Sequence, residues 1–219
     1  MDIIDNTTTT EKKKEKRKKE KKEKKKKKGG GGGGGEGVGE EEWESRGMDH
    51  LLGLLKVRVI RGTNLAFRDA RGSDPYVVLR MGRQDEEGCS RLKTSVKKKT
   101  VNPEWNEDLT LSVSDPVLPL KIEIYDKDTF SRDDKMGKTE LDIQPFLDAV
   151  KLAWDGIPEG ALLKSVEPSR DNCVATESYI LYKGRKVVQD VILRLKHVES
   201  GEIELQLHWV TVPGGLGFN

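Results

Sequence analysis

The residues best placed to do chemistry are aspartates in two short segments. RDARGSDPY supplies Asp69 and Asp74, and YDKDTFSRDDKMG supplies Asp126, Asp128, Asp133 and Asp134. Carboxylates gathered without partners repel one another and raise each other's pKa, so something positive should bind where they converge. Calcium suits such a place: it is a hard cation that takes 6 to 8 oxygens at about 2.3 to 2.6 Å and tolerates irregular loops. Magnesium demands stricter octahedral geometry with fewer carboxylates, and zinc wants His or Cys. Turn chemistry accounts for one or two of these acids, because Asp favours Asx-turns and SDP is itself a turn signal, but it does not account for five.

An EF-hand loop is excluded although 126 to 137 begins D-x-D. The fifth position is Phe130, the sixth is Ser131 rather than Gly, and the twelfth is Gly137 rather than Glu. The flanking segments also read as strands. From Leu51 onward the chain alternates apolar and polar residues in β-branched runs broken by Gly, Pro, Asn and Asp, which predicts an antiparallel all-β domain. Eight strands are expected, at 53–60, 75–81, 92–97, 107–113, 119–125, 138–143, 188–196 and 202–210, and eight short strands make a sandwich. In the last, Ile203, Leu205, Leu207 and Trp209 share one face, which fixes the register against a core. Phe146, Leu147, Val150 and Trp154 fall at helical spacing after Pro145, predicting a short amphipathic helix over 144–154. YILYKGRKVV at 179–188 reads as a hairpin with Lys183 and Gly184 at its turn. The aspartate segments then fall between strands one and two and between strands five and six. If both loops project from one end of the sandwich, the carboxylates meet.

Composition places these elements in context. Apolar residues make up 34% and charged residues 36%, low for a chain folded throughout. Residues 1 to 28 hold 14 Lys and Arg against 6 acids, and 29 to 35 are seven glycines; neither stretch has apolar side chains enough to offset the entropy of ordering. Residues 1–47 are therefore read as a disordered Lys/Gly-rich tail. It is either a nuclear-localisation or anion-binding arm, or a spacer, or an extension to a protein that starts at Met48. The domain spans 48–213 and carries 25 Lys and Arg against 27 acids; 214–219 form a C-terminal tail. Cys89 and Cys173 lie far apart without a CxxC, which fits an intracellular setting, and His50, His197 and His208 are isolated. No run of about 18 apolar residues and no signal-peptide h-region occurs, so any membrane contact is expected to be peripheral.

Three motifs make the reading specific. GSDPY (72–76), NPEWNE (102–107) and D-x-D-x-F-S-x-x-D-x-x-G (126–137) resemble the three membrane-facing loop regions of C2 domains, in the right order and between the right strands. That resemblance implies a calcium site with Asp69, Asp74, Asp126, Asp128 and Asp134 as side-chain ligands, and Arg68 and Lys127 contributing backbone carbonyls. Asp133 matches no ligand position and is left as a neighbouring or solvent charge. The strand that begins other C2 domains comes last here, as 202–210, which looks like the circularly permuted, type II topology. MDHLLGLLKVRVIRGTNLAFRD, VEPSRDNC and VQDVILRLKHVESGEIELQLHW extend the likeness to the small plant C2-domain abscisic-acid-related proteins. The QDEEGCSR segment (84–91) is longer than that family's connection and should lie at the end away from the calcium site.

The family resemblance implies calcium-dependent docking on anionic phospholipid at the cytoplasmic face of the plasma membrane, with further presence in cytoplasm and nucleus. It also implies an insert, 144–187, that meets protein partners: abscisic-acid receptors, or alternatively a small or unconventional GTPase that the protein stimulates. Phe130, at a loop tip between ligands, either enters the headgroup boundary or folds back on its own strand. Arg71 and Arg132 flank the same tips and could meet phosphates. Lys93, Lys97 and Lys99 are expected on one face of strand three, either as a phosphoinositide surface or as edge-strand protection. An enzyme is disfavoured, because the sequence has no GxSxG, no P-loop and no nucleophile with a partnered base. Nucleic-acid binding is disfavoured by the acidic body and the lack of a stacking platform.

Overall fold

The computed structural model describes residues 51–68, 72–82, 90–129, 131–153 and 156–212. The 1–47 tail, most of the 84–91 connection and the last residues lie outside that range, as do Asp69, Arg71, Phe130 and Trp154. The elements run β1 (Leu51–Thr63), β2 (Pro75–Met81), β3 (Ser90–Lys93), β4 (Glu104–Ser114), β5 (Leu120–Asp126), β6 (Asp134–Leu141), α1 (Gln144–Leu152), β7 (Leu162–Val166), β8 (Ser178–Lys183), β9 (Lys186–Arg194) and β10 (Glu202–Val210). They form two antiparallel sheets, one ordered β4-β1-β10-β9-β8-β7 and the other β3-β2-β5-β6. The final strand thus lies between β1 and β9.

Alternation decides which face each strand buries. Leu55, Val57 and Val59 of β1 and Ile203, Leu205 and Leu207 of β10 are fully buried, facing Val77, Leu79, Ile122 and Ile124 of the second sheet. β2 lacks this alternation and buries nearly every residue: Val77 and Leu79 face the core, while Tyr76 on the other face is shielded by the Tyr125 ring and Asp133. In α1, Phe146, Leu147 and Ala149 pack on the core, and Pro145 occupies the first turn, where no intrahelical N–H is needed.

The departures from expectation have local causes. β3 ends at Lys93 rather than 97. The N–H of Val77 donates to the Thr94 hydroxyl at 3.0 Å instead of to a ladder carbonyl, and the chain then follows β2 through Lys97 N–H to Pro75 O and Thr100 N–H to Ser73 O. Strand parity is lost there, so the parity argument that put Lys93, Lys97 and Lys99 on one face does not hold. β6 begins at Asp134 rather than 138 because Gly137, at φ +136°, accommodates the irregular register opposite Ile124 and Tyr125. The hairpin exists, but Lys183 pairs with Lys186, so its turn is Gly184–Arg185, both at positive φ as such a two-residue turn requires, rather than Lys183–Gly184, and its second arm runs on without a break into the expected seventh strand. The eight expected strands are joined by β8, the first arm of that hairpin, and by β7. The short LLKSV of β7, at the edge of its sheet, shows no alternation to betray it.

Candidate metal centre

Pairing across the second sheet aligns the acids. Pro75 lies opposite Asp126, and Asp126 opposite Asp134, and Asp74, the residue before β2, donates its N–H to Asp126, so Asp74, Asp126 and Asp134 line up at one end of the sandwich. The loop after β1 reaches the same end: Leu65 N–H donates to Val101 O, Thr100 N–H to Ser73 O and Lys127 N–H to Asp74 O. The Asn102 side chain of NPEWNE accepts from Asn64 N–H at 2.7 Å, which ties the second motif to the first loop. The three motif regions therefore converge.

Asp126 is the acid most deeply set, 2% exposed. Its Oδ1 accepts the Asp74 N–H at 2.6 Å, while its Oδ2 is buried without a hydrogen-bond partner. Buried carboxylate oxygens are ordinarily paired, because an unpaired one forfeits its hydration for nothing. Asp74 uses Oδ1 to accept Lys99 N–H at 2.8 Å, with Lys99 held at positive φ. Asp128 is half-buried and Asp134 exposed. Among the described residues no three acid, His or Cys side chains already stand close enough to enclose an ion. The all-oxygen donor set and the orphaned Asp126 oxygen nevertheless fit a hard divalent cation of calcium's kind.

Arg68 and Asp133 hold the loops. The Arg68 N–H donates to the buried Ser73 hydroxyl, and its guanidinium donates to Lys135 O at 2.9 Å and Glu199 at 2.9 Å, stitching the first loop to β6 and to the β9–β10 turn. Asp133 accepts the Tyr76 hydroxyl at 2.7 Å, the Lys127 ammonium at 2.9 Å and the Asp128 N–H at 3.2 Å. The Lys127 and Tyr76 hydrogen bonds hold its carboxyl below the usual carboxylate range, and burial together with Asp133 pushes the Tyr76 phenol up to about 12.

Sequence reasoning passes over Phe67, which is 56% exposed immediately before Arg68. A bulky apolar residue inside the turn-rich NLAFRD is the available signal. Arg132 is exposed on the second loop, as expected of a phosphate contact or a solvated charge. A groove of about 430 Å³ on the outer face of the second sheet is lined by Arg80, Lys121, Glu123, Lys135, Lys138 and Lys196 among others, a basic surface of the kind that the sequence suggests for β3. Burial would raise the Glu123 carboxyl, but Lys135 at 2.6 Å and Arg80 at 3.2 Å outweigh it and hold it low.

The C2 domain family profile matches residues 53–155. Over 170 residues the chain is 56% identical to "GTPase activating protein 1" of Oryza sativa subsp. indica, covering 78% of this chain and 99% of that protein. It is 54% identical over 167 residues to "Protein C2-DOMAIN ABA-RELATED 5" of Arabidopsis thaliana, covering 76% and 80%. The chain belongs to the C2-domain abscisic-acid-related family. Among solved structures it is similar to a C2 domain of plant Extended Synaptotagmin 1, at 23% identity and TM-score 0.49 over 74% of this chain and 98% of that one. As a member of this family the chain is a membrane-binding C2 module of regulatory character, and calcium is the ion that C2 domains generally bind. Among the described residues no helix is long and apolar enough to cross a membrane.

Proposed function

We propose that this C2 module docks on anionic phospholipid when calcium fills the cup at the loop end, with side-chain ligands Asp69, Asp74, Asp126, Asp128 and Asp134 and backbone carbonyls of Arg68 and Lys127. The single observation supporting this most strongly is the buried, unpartnered Oδ2 of Asp126 in the row with Asp74 and Asp134. Bound calcium supplies positive charge and coordination positions open to lipid phosphate. The aspartates otherwise repel an anionic surface, so the gate is electrostatic and requires no refolding.

Around the cup, Phe67 and Phe130 enter the headgroup boundary while Arg71 and Arg132 meet phosphates. The groove on the outer face of the second sheet adds a second anionic-headgroup contact, with Lys93 on the edge strand of that sheet and Lys97 and Lys99 in the segment that leads back to Asp74. The insert, 144–187, then presents a protein partner at the cytoplasmic face of the membrane. Two readings of that partner follow from the relatives' names: an abscisic-acid signalling component, and a GTPase whose activity the protein stimulates, the latter suggested by the rice relative. Phe67→Ser tests the docking geometry. It removes apolar insertion worth roughly 1.5 to 3 kcal/mol when fully buried, so about a tenfold or greater loss of affinity for phosphatidylserine bilayers is expected by surface plasmon resonance. Calcium affinity without lipid should be unchanged, and undiminished bilayer affinity would place Phe67 outside the contact.

A further inference from the structure

Two motif residues without a coordination role, Tyr76 of GSDPY and Asp133 of the second loop, meet each other. Tyr76 lies on β2, 9% exposed, its ring stacked on Tyr125 of β5 at 5.7 Å, so it belongs to the rigid sheet rather than to a loop. Asp133 sits between the proposed ligands Asp128 and Asp134. Its Oδ2 takes the Tyr76 hydroxyl, and its Oδ1 takes the Lys127 ammonium and the Asp128 N–H. Both oxygens are thus engaged from within the protein, the reverse of Asp126, whose second oxygen is orphaned.

We propose that Asp133 is a positioning residue for the cation site: it touches no ion, and instead fastens the 127–133 loop to the Tyr76 hydroxyl so that Asp128 is presented in a fixed direction. The inference rests on the calcium reading of the site. A loop that must order before it can coordinate loses that ordering free energy from its affinity, and a loop already pinned by a sheet residue does not. Lys127 balances the Asp133 charge, so the carboxylate serves as an acceptor more than as a source of field.

The test uses calorimetric calcium titration of the full chain together with amide hydrogen exchange in chelator. Tyr76→Phe keeps volume and charge and deletes one hydroxyl, so it is expected to weaken calcium binding by about three- to tenfold, the range of a single net hydrogen bond. It should also speed exchange of the Asp128 N–H in metal-free protein. Asp133→Ala should weaken binding further, and adding Tyr76→Phe to it should cost nothing more, because the alanine has already removed the acceptor of the Tyr76 hydroxyl. Unchanged affinity and exchange in Tyr76→Phe, or fully additive losses, would overturn the proposal and make Asp133 a ligand or a source of field only. A wild-type chain that binds no calcium yet shows hydroxyl-dependent exchange would refute the calcium reading instead and reduce Asp133 to a loop anchor.

Discussion

Replacing Asp126 by asparagine is expected to lower calcium affinity by about a hundredfold or more while leaving the calcium-free protein as stable as before, or more so. The expectation comes from the asymmetry of the carboxylate. Oδ1 accepts the Asp74 N–H, a role the asparagine carbonyl can keep, whereas Oδ2 is buried with no donor. An unpartnered buried polar atom costs about 1 to 3 kcal/mol, more when charged, and that cost is carried by the metal-free state. An amide NH₂ in the same place would find acceptors among the neighbouring acids and bring no charge. A ligand thus differs from a structural carboxylate in the direction of its effect on the empty protein. Calorimetric titration and thermal unfolding in chelator give the two numbers. A large loss of stability in chelator with calcium affinity intact would make Asp126 a structural residue.

Phe146→Ala is expected to cost about 3 to 5 kcal/mol, the usual range for emptying a buried phenyl site. Phe146 is fully buried and, with Leu147 and Ala149, anchors α1 and hence the start of the insert to the sandwich core. Domains of this size are stable by only about 5 to 15 kcal/mol, so the variant should unfold at a much lower urea concentration, with the insert loosened first. Leu152→Ala on the same helix, 56% exposed, is the control and should shift stability by no more than about 0.5 kcal/mol. Equal midpoints for Phe146→Ala and the wild type would mean that the insert does not depend on this anchor.

What is legible in the sequence is set by periodicity. β10 alternates without exception and β2 is an uninterrupted buried run after Pro75, and in both the expected and observed bounds coincide. The helical spacing of Phe146 and Leu147 places α1 within two residues of its observed end. Periodicity fails where a side chain replaces a backbone partner. Thr94 takes a ladder hydrogen bond with its hydroxyl, which ends β3 and removes the strand parity on which a shared face for Lys93, Lys97 and Lys99 depended. That Asp74, Asp126 and Asp134 lie at one end is legible because it depends only on which strands the two loops join, whereas the pairing of Asp126 with Asp134 is not, the expected strands stopping at 125 and starting at 138. The part played by Asp133 is not, because its partners, Tyr76, Lys127 and Asp128, come together only when two strands pair. Phe67 escapes notice because an exposed apolar residue gains meaning only from its place at the cup's rim.

Co-sedimentation of residues 48–219 with phosphatidylserine vesicles, in calcium and in chelator, tests the central claim most directly. Omitting residues 1–47 keeps the 14 Lys and Arg of residues 1 to 28 out of the comparison between the two buffers. The calcium gate predicts pelleting in calcium and release in chelator, with Asp126→Ala plus Asp128→Ala staying in solution in both buffers. Equal pelleting of the wild-type domain in the two buffers, or undiminished pelleting of the double variant in calcium, would contradict it.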